Sequence, residues 1–246
     1  FVRSGSVWAQ LAYIKASDSN SDDQFGSAVA IDGDNAVVGA PYIGRVYIYN
    51  RTGGSWLEQT VLGSPVSYDQ FGSSVGISGG TIIVGAPNDG SSAAGINGDW
   101  SRLNAALSGA AHVFVFNGGA WSQSAYLKAS NPNRFDHFGG SVAISGDRFI
   151  VGAISEASAA TGINGDETDN SAPHCGAAYV FVRSGDRIRQ EAYLKANNAE
   201  EWDMFGSSVA AYGDVVAVGA RRECGGANEV NGDGSDNSEY DAGAAY

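Results

Sequence analysis

Residues 138–153 read FGGSVAISGDRFIVGA, a stretch with the pattern of one β-hairpin. From Phe138 to Ile144, small or polar residues alternate with apolar ones, which is typical of a half-buried strand. Residues 145–147 are Ser-Gly-Asp, a tight-turn sequence in which glycine supplies the positive φ. Residues 148–153 return as a nearly continuous apolar run, as expected of a strand near the core. The stretch therefore predicts two antiparallel strands.

This hairpin pattern occurs four times along the chain. The pair Phe-Gly begins at Phe25, Phe71, Phe138 and Phe205, at intervals of 46, 67 and 67 residues. Each pair is followed by a second apolar run that ends in Val-Gly-Ala. A fixed period of this size indicates one supersecondary unit stacked repeatedly, because a single unit cannot bury its apolar face alone.

The third repeat indicates that each unit has four strands. After the hairpin comes a long loop at residues 154–175, and residues 176–183 and 188–195 have the pattern of a third and a fourth strand. Corresponding third strands are predicted at residues 45–49 and 111–116, and fourth strands at 8–15, 56–62 and 121–128. Four antiparallel strands per unit predict an all-β fold, a β-propeller of four-stranded blades.

The two ends of the chain continue the repeat when they are joined. Residues 243–246 followed by residues 1–5 match residues 176–185, with one valine missing. We therefore expect one blade to be shared between the N- and C-termini. Three arrangements satisfy this pattern: a single β-propeller domain over residues 1–246, a four-blade portion of a larger propeller, or part of a ring that a second copy completes.

Composition and charge narrow the classes of function. The 246 residues are 43% hydrophobic and include 35 glycines, which suits many short strands joined by tight turns. The net charge of −13 argues against a nucleic-acid partner, because such a partner requires a basic surface. No run reaches about eighteen apolar residues, so we expect no membrane span. The acidity suits a soluble extracellular protein, a cationic partner or bound divalent cations, and acid that serves only solubility is the simpler explanation.

Two cysteines lie in the same type of loop in consecutive repeats. Cys175 ends the long loop of the third repeat, and Cys224 lies near the start of the corresponding loop of the fourth. Neighbouring units would bring them together as one disulfide, which implies an oxidising compartment. Two unpaired thiols are the alternative. Neither cysteine has the Cys-x-x-Cys spacing of a zinc or redox site.

The succession Asp-x-Phe-Gly, a short turn, Val-Gly-Ala-Pro and Gly-Ala-Ala-x-Val-Phe resembles the FG-GAP repeat, the blade unit of the integrin α-subunit head. The resemblance covers essentially the whole chain. It implies a β-propeller used for binding or adhesion, extracellular or at the cell surface. Related repeats occur in secreted bacterial proteins and in some lectins.

The chain departs from the integrin pattern in two respects. Several integrin blades carry a calcium loop in the hairpin between the first and second strands. The corresponding hairpins here have too few oxygen ligands for calcium, at residues 32–34, 78–80, 145–147 and 212–214. An integrin-type propeller also has seven blades, whereas this chain has four repeats.

An aspartate stands two residues before the phenylalanine of every Phe-Gly pair. We predict that its carboxylate accepts hydrogen bonds from backbone amides of the turn, a structural role. The phenylalanines and the recurring tryptophans of the fourth strands are predicted to pack in the core. The aspartates are Asp23, Asp69, Asp136 and Asp203, and the tryptophans are Trp8, Trp56 and Trp121.

The long loops are the candidates for ligand binding. In a propeller, these loops and the connections to the next blade emerge on one face, and three of the loops contain Asn-Gly-Asp. Asn-Gly favours a small hairpin within each loop. The predicted ligand-binding set consists of the acids around this motif and one tryptophan: Asp99, Trp100, Asp166, Glu167, Asp169, Asp233, Asp236 and Glu239.

Calcium binding is an alternative use of the same loops. Hard oxygen ligands at this density suit calcium, although their spacing fits no EF-hand loop. The predicted metal set is Asp166, Asp169, Asp233, Asp236 and Asp241. The sequence requires no other cofactor.

The sequence as a whole predicts a non-catalytic binding or adhesion module that displays acidic loops to a protein or glycan ligand. His112, His137 and His174 occupy different positions in the repeat, and the sequence contains no Ser-His-Asp constellation, zinc motif or phosphate-binding glycine loop. A carbohydrate-binding lectin and an enzyme with a pocket at the central channel are the alternatives.

Overall fold

Seventeen strands and no α-helix lie within the described part of the computed structural model, which comprises residues 1–66 and 68–246. The all-β prediction is confirmed. An N-terminal hairpin of β1 (Val2–Ser4) and β2 (Val7–Ala9) forms a two-stranded sheet of its own. None of the described residues forms a helix long and apolar enough to cross a membrane.

Each of the first three repeats folds into a four-stranded antiparallel sheet with its strands in chain order. The first sheet contains β3 (Ala28–Asp32), β4 (Asn35–Ala40), β5 (Arg45–Thr52) and β6 (Ser55–Gly63). The second sheet contains β7 (Ser74–Ser78), β8 (Thr81–Ala86), β9 (Ala110–Asn117) and β10 (Ala120–Leu127). The third sheet contains β11 (Phe138–Ser145), β12 (Arg148–Ala153), β13 (Ala177–Ser184) and β14 (Arg187–Leu194). The predicted four-stranded unit is confirmed in these repeats.

The fourth repeat forms a three-stranded sheet. It contains β15 (Phe205–Tyr212), β16 (Val215–Ala220) and β17 (Ala244–Ala245). Here β17 pairs with β16, while β1 pairs with β2, so the two ends of the chain are not joined in one sheet. The shared blade stays a prediction.

The predicted fourth strand at residues 8–15 is wrong beyond Ala9, where β2 ends. Residues 10–15 lie outside the strands, and the side chain of Tyr13 is 81% exposed. Trp8 is likewise 65% exposed, so the packing predicted for it is not made. The reason is local: β1 is the one strand paired with β2, and a two-stranded hairpin offers no core to cover.

The hairpin quoted from the sequence forms with the expected register. Val142 of β11 lies opposite Val151 of β12, and the turn between them has Gly146 at a φ of 57°. From Phe149 to Ala153 every residue of β12 is buried. Successive side chains of β11 point to opposite faces of the sheet, so one face of the hairpin covers the core. The polar residues lie at its turn.

The hydrophobic core lies between neighbouring sheets. Phe138 and Phe149 of the third sheet pack in one buried cluster with Ile83 and Val113 of the second sheet. Phe71 occupies the same place one repeat earlier, against Phe114 of its own sheet at a centroid distance of 6.0 Å. The core role predicted for the phenylalanines is confirmed for Phe71, Phe138 and Phe205, which are buried, while Phe25 is partly buried.

Neighbouring sheets approach most closely at two glycines. Gly152, in the Val-Gly-Ala of the third sheet, faces the main chain of Gly206, the Phe-Gly glycine of the fourth. A Cβ on Gly152 would lie under 3.0 Å from the Gly206 carbonyl oxygen, which a real Cβ does not do. Ser141 Oγ donates a hydrogen bond to that oxygen at 2.8 Å. The same approach joins Gly39 to Gly72 and Gly85 to Gly139.

Backbone contacts at both ends of the strands fix the order of the sheets. Parallel bridges join Gly109 to Phe138 and Gly176 to Phe205, where one long loop meets the next Phe-Gly pair. At the opposite ends, the amide of each hairpin turn donates to a side chain in the preceding sheet. These bonds are Gly79 N to Asp32 Oδ2 at 2.6 Å, Gly146 N to Ser78 Oγ at 3.2 Å and Gly213 N to Ser145 Oγ at 2.9 Å. Each sheet is therefore held face to face with its neighbours in sequence.

Replacing Gly152 by alanine is expected to lower the free energy of unfolding by about 2–3 kcal/mol, because the new methyl group meets main-chain atoms that cannot move aside. Urea denaturation of the variant and the parent measures the difference. Gly63→Ala is the matched control: its Cβ would meet nothing closer than 3.8 Å, so it should leave stability unchanged or slightly raised. Equal stability of Gly152→Ala and the parent would contradict the close approach of the sheets.

Candidate functional site

The long loops and the connections between repeats lie at one edge of the sheets. This long-loop edge comprises loops 87–109, 154–176 and 221–243, connections 128–137 and 195–204, and residues 68–73 of the connection before the second sheet. Backbone hydrogen bonds join each loop to the connection beside it: Asn88 N to Asp69 O at 3.0 Å, Ser155 N to Asp136 O at 3.2 Å and Arg222 N to Asp203 O at 3.1 Å. The opposite edge, which we call the hairpin edge, carries the turns at 32–35, 78–81, 145–148 and 212–215.

The Asn-Gly-Asp motif attaches the long loop to the fourth strand of its own sheet. Asn164 has a φ of 56°, and its side-chain Oδ1 accepts a hydrogen bond from Tyr193 N at 2.9 Å. Asn97 makes the same bond to Tyr126 N at 2.9 Å in the second repeat. The hairpin that we predicted within each loop is therefore wrong for these two loops, because the asparagine pairs with a strand instead of with its own loop.

A buried ion pair anchors the loop of the third repeat. Glu156 and Lys195 lie 3.0 Å apart between Oε2 and Nζ, and both side chains are fully buried. Tyr193 OH also donates to Glu156 Oε2 at 2.9 Å, and the Asn131 amide donates to Oε1 at 3.1 Å. Burial near Glu156 raises the pKa of Tyr193. An ion pair with this many additional hydrogen bonds fixes the loop in one position.

The second repeat carries a related pair. Asp89 Oδ1 lies 3.5 Å from Lys128 Nζ, again with both side chains fully buried. Tyr126 OH donates to the same carboxylate oxygen at 3.0 Å, and Lys128 Nζ donates to Ser108 Oγ at 2.7 Å. Burial lowers the pKa of Lys128 to about 8, against the opposing effect of Asp89. Sequence reasoning missed both pairs, although the acids and the lysines each recur at the 67-residue period.

The corresponding acid of the fourth repeat has no cation beside it among the described residues. Glu223 is 4% exposed, and its carboxylate accepts from the Asn198 amide at 2.8 Å and from Gly225 N at 2.9 Å. An open cavity of about 1060 Å³ lies next to it, lined in part by Val230, Asn231 and Tyr246. This repeat therefore holds the carboxylate of the network without its lysine.

The predicted ligand-binding acids of the third repeat are arranged by their own loop. Asp166 Oδ1 accepts from Thr168 N at 2.9 Å and from Thr168 Oγ1 at 2.7 Å, and these bonds lower the pKa of Asp166. Asp169 Oδ2 accepts from Ala159 N at 2.8 Å, which lowers its pKa as well. Glu167 accepts from Gln190 Nε2 at 2.9 Å and from Ser130 Oγ.

Those of the second and fourth repeats follow the same pattern. Asp99 Oδ1 accepts from Ser101 Oγ and Asp233 Oδ1 from Ser235 Oγ, each at 2.6 Å, which lowers the pKa of both aspartates. Trp100 is 42% exposed and packs edge-to-face on Tyr126 at 5.7 Å between ring centroids. Asp236 Oδ1 accepts from Ser238 N at 3.0 Å, Asp241 Oδ1 accepts from Arg222 Nε at 2.9 Å, and Glu239 donates its backbone amide to Cys224 O at 3.1 Å.

The acids proposed for calcium are thus engaged with neighbouring hydroxyls, amides or a guanidinium. Within the part of the chain that the structure describes, they do not form a group of three with their oxygens in reach of one ion. The group that does come together is Asp69, Asp89 and His112, with donor atoms within 4.8 Å of one another. Calcium binding by the loops stays a prediction.

The predicted disulfide between Cys175 and Cys224 is not formed, and both thiols are free. Cys175 is buried at the position that Ser108 occupies one repeat earlier, close to the lysine of the ion pair, and burial raises the pKa of its thiol. Cys224 Sγ instead contacts Arg222 O at 3.5 Å in its own loop.

The structural role predicted for the strand-start aspartates is confirmed. Asp23, Asp136 and Asp203 each accept a hydrogen bond from the backbone amide three residues earlier, at 2.6, 2.7 and 2.8 Å. Asp69 differs, since its Oδ1 accepts from Phe71 N at 3.0 Å and its Oδ2 accepts from Ser64 Oγ. Burial raises the pKa of Asp136 to about 8 and that of Asp203 to about 6.

The raised pKa of Asp136 gives stability a specific pH dependence. Between its unfolded value of 3.8 and about 8, the folded protein holds a proton that the unfolded chain releases, so stability falls as pH rises. Between pH 6.5 and 8, Asp136 alone makes the free energy of unfolding fall by about 1 kcal/mol per pH unit, while His112 and Lys128, whose pKa values are lowered, act in the opposite direction. In urea titrations, the slope of Asp136→Asn should therefore be more positive than that of the parent by about this amount.

Asp203→Asn is the matched control for that experiment. The pKa of Asp203 is raised only to about 6, so most of its titration lies below this window. The control should keep the slope of the parent protein. Equal slopes in Asp136→Asn and the parent between pH 6.5 and 8 would contradict the assignment.

Comparison with known proteins identifies the repeat. The FG-GAP repeat matches residues 8–55, 65–114, 121–181 and 188–246. No curated protein matches the sequence. Among solved structures, the chain is similar to the computationally designed Ika4 protein at 12% identity and a TM-score of 0.45, over 87% of this chain and 94% of Ika4. It is also similar to Sqt1 of Saccharomyces cerevisiae at 9% identity and a TM-score of 0.46, over 84% of this chain and 45% of Sqt1.

The four matched segments coincide with the four repeats marked by the Phe-Gly pairs, and each contains one Val-Gly-Ala run. Together they span most of the sequence. The chain belongs to the FG-GAP repeat family.

Proposed function

We propose that this protein is a non-catalytic binding module of the extracellular space or cell surface, which recognises a basic protein segment at its long-loop edge. The observation that carries the proposal is the contrast within the long loops. In the second and third repeats their frames are fixed by the buried ion pairs Asp89–Lys128 and Glu156–Lys195, while the acids Asp99 and Asp166 are exposed. Rigid display of charge lowers the entropic cost of binding.

The charge of this edge favours a cationic ligand. Asp99, Asp166 and Asp233 are exposed, and hydrogen bonds within the loops keep the pKa of each below its usual value. They remain ionised at neutral pH and attract lysine and arginine side chains over several ångströms. The net charge of −13 supports the same class of partner. FG-GAP repeats are in general binding modules, which agrees with this proposal.

One histidine and one cysteine, residue types that often act in catalysis, are unsuited to that role in this protein. His112 and Cys175 are both buried, and burial lowers the pKa of the imidazole to about 4 and raises the pKa of the thiol. A nucleophilic cysteine requires the opposite shift and access to substrate. Binding without catalysis therefore accounts for more of the site than an enzyme does.

Exposed tryptophans favour a glycan as the second candidate ligand. Trp100 and Trp202 are 42% and 47% exposed at the long-loop edge, and Trp202 stacks on His174 at 4.1 Å between ring centroids. Such surfaces also suit a sugar ring. A glycan array serves as the discriminating measurement.

Neutralising the loop acids is expected to weaken binding of a lysine- and arginine-rich peptide at least tenfold. The variant combines Asp166→Asn, Asp169→Asn, Asp233→Asn and Asp236→Asn, and fluorescence anisotropy at low salt measures Kd. The control combines Asp32→Asn, Asp34→Asn, Asp147→Asn and Asp214→Asn, which removes the same charge from the hairpin edge. We expect the control to change Kd by less than threefold. Equal weakening by both variants would indicate attraction to net charge alone, and binding of glycans without peptide binding would support the lectin.

We also propose that the sheets close into a β-propeller when residues 7–16 occupy the open groove of the fourth repeat. Tyr13, Ile14 and Lys15 repeat the order of Tyr193, Leu194 and Lys195 at the end of β14. In the groove, Lys15 would pair with the buried Glu223, and Tyr13 N would reach Asn231. Each contact reproduces one that the second and third repeats make.

The exposure of Tyr13 supports this closure. Tyr13 is 81% exposed, whereas Tyr193, its counterpart in the third repeat, is fully buried. In the third repeat the residue equivalent to Val230 is Ile163, which bridges to Leu194. Closure would bury the ring of Tyr13 and give Glu223 its missing cation, and each change is favourable.

An engineered disulfide tests closure. Ile14→Cys with Val230→Cys, in a background of Cys175→Ser and Cys224→Ser, should cross-link within one chain on mild oxidation, because bridged residues of antiparallel strands suit a disulfide. Ile14→Cys with Ile163→Cys is the control and should remain reduced, since Ile163 is already paired with Leu194. Peptide mapping and mass in solution distinguish the outcomes. A cross-link between two chains would indicate a ring shared by two copies, and no cross-link would overturn closure.

A further inference from the structure

Three buried side chains of the second repeat converge at one point away from the exposed loop acids. Asp69 lies at the start of the Phe-Gly hairpin, Asp89 lies in the long loop, and His112 lies on β9. Their donor atoms lie within 4.8 Å of one another, and each residue is at most 1% exposed. Two carboxylates and an imidazole are therefore held together out of contact with water.

Three atoms of this cluster have no hydrogen-bond partner among the described residues. They are Asp89 Oδ2 and both ring nitrogens of His112. The other oxygen, Asp89 Oδ1, accepts from Tyr126 OH at 3.0 Å and from Ser91 N at 2.8 Å. Buried polar atoms are nearly always partnered, and leaving one unpaired costs about 1–3 kcal/mol. The three unpaired atoms therefore indicate a binding site for a ligand.

The second repeat differs from its neighbours at the residues that form this cluster. Where the third repeat has Asn131, Glu156 and Tyr179, the second has Ser64, Asp89 and His112. In the third repeat Tyr179 OH donates to Asn131 Oδ1 at 2.6 Å, and so satisfies both side chains. His112 is too short for that bond, and Ser64 bonds to Asp69 instead. All three differences therefore change the same buried position, where the second repeat lacks the tyrosine–asparagine hydrogen bond.

The charges of the cluster favour a cation. Asp69 and Asp89 face a single positive group, Lys128, whose Nζ lies 3.5 Å from Asp89 Oδ1. A neutral imidazole offers a nitrogen lone pair to such a cation, and the ring of His112 lies within reach of both carboxylates. Each carboxylate oxygen of Asp69 accepts one hydrogen bond and retains a second lone pair.

We propose that Asp69, Asp89 and His112 bind one divalent transition-metal ion of the zinc class. Imidazole nitrogen with carboxylate oxygen is a donor set that zinc accepts, and its fourth ligand would be a water molecule. Ligands of tetrahedral zinc at about 2.1 Å lie about 3.4 Å from one another, so the side chains need to approach by roughly 1 Å. Calcium does not fit, because it requires six or more oxygen ligands.

The ion would join three segments of the second repeat. Asp69 belongs to the connection from the first sheet, Asp89 to the long loop and His112 to the third strand. A metal at this point would replace the tyrosine–asparagine contact of the third repeat as the bond between neighbouring sheets. Its role is to hold the frame of the propeller, independent of whether the exposed loops bind calcium.

Cobalt(II) is the probe for this site, because tetrahedral cobalt with nitrogen and oxygen ligands gives visible absorption bands. The protein is unfolded in urea with a chelator, refolded with and without cobalt, and freed of unbound metal by gel filtration. We expect one equivalent of cobalt per chain, visible bands, and an increase in Tm of about 5 °C at a hundredfold excess over Kd. Zinc should displace cobalt and abolish the bands.

The variant that tests the ligands combines His112→Tyr with Ser64→Asn, which installs the residues that the third repeat uses at the same place. It should fold, bind less than a tenth of an equivalent of cobalt and show no metal-dependent Tm. His112→Gln provides a second test with a smaller change of shape and should lose the bands as well. Asp166→Asn with Asp169→Asn is the control and should bind cobalt as the parent does. The proposal would be overturned by a parent protein that holds no cobalt after refolding with the metal, or by variants at His112 that keep the visible bands.

Discussion

The close approach of two glycine backbones between neighbouring sheets is the constraint on which the structure depends. Gly152 has no room for a side chain because the main chain of Gly206 lies against it, and Ser141 bonds to the same carbonyl group. The equivalent approach of Gly85 to Gly139 joins the second and third sheets, and there Phe138 and Phe149 pack with Ile83 and Val113 of the preceding sheet. The Phe-Gly and Val-Gly-Ala sequences are therefore the two halves of one contact, one on each sheet.

The fixed spacing of the sheets also decides what lies at the long-loop edge. The long loops of the second and third repeats begin directly after the alanine of Val-Gly-Ala and end at a parallel bridge to the next Phe-Gly pair, as Gly176 does with Phe205. Between these points the loop is anchored by a buried acid, a lysine and an asparagine, for example Glu156, Lys195 and Asn164. The exposed acids are consequently carried on segments whose ends cannot move independently. This property suits recognition by a preformed surface.

Sequence periodicity predicted the strands where a strand has a partner. Residues 138–153 form the expected hairpin and residues 56–62 the expected strand. Residues 10–15 have the same pattern, but they have no neighbouring strand to pair with and lie outside the strands. The role of the aspartates before Phe-Gly was also predictable, because a short carboxylate at a turn can accept hydrogen bonds from backbone amides of that turn. The pairs Glu156–Lys195 and Asp89–Lys128 were not predicted, since burial of a charge depends on packing that a sequence window does not contain. The cluster around His112 was not predicted either, since its unpaired nitrogens become visible only when Asp69 and Asp89 are placed beside it.

The succession of contacts has a bearing on how the chain acquires its fold during synthesis. Every bond described between sheets joins a repeat to the one before it, as with Ser78 and Gly146 or Ser145 and Gly213. A hairpin that leaves the ribosome thus finds its docking surface already made by the preceding repeat, whereas residues 7–16 would find theirs only after the fourth repeat is made. Growth of this kind proceeds from the N-terminal side, with each newly added unit serving as the template for its successor.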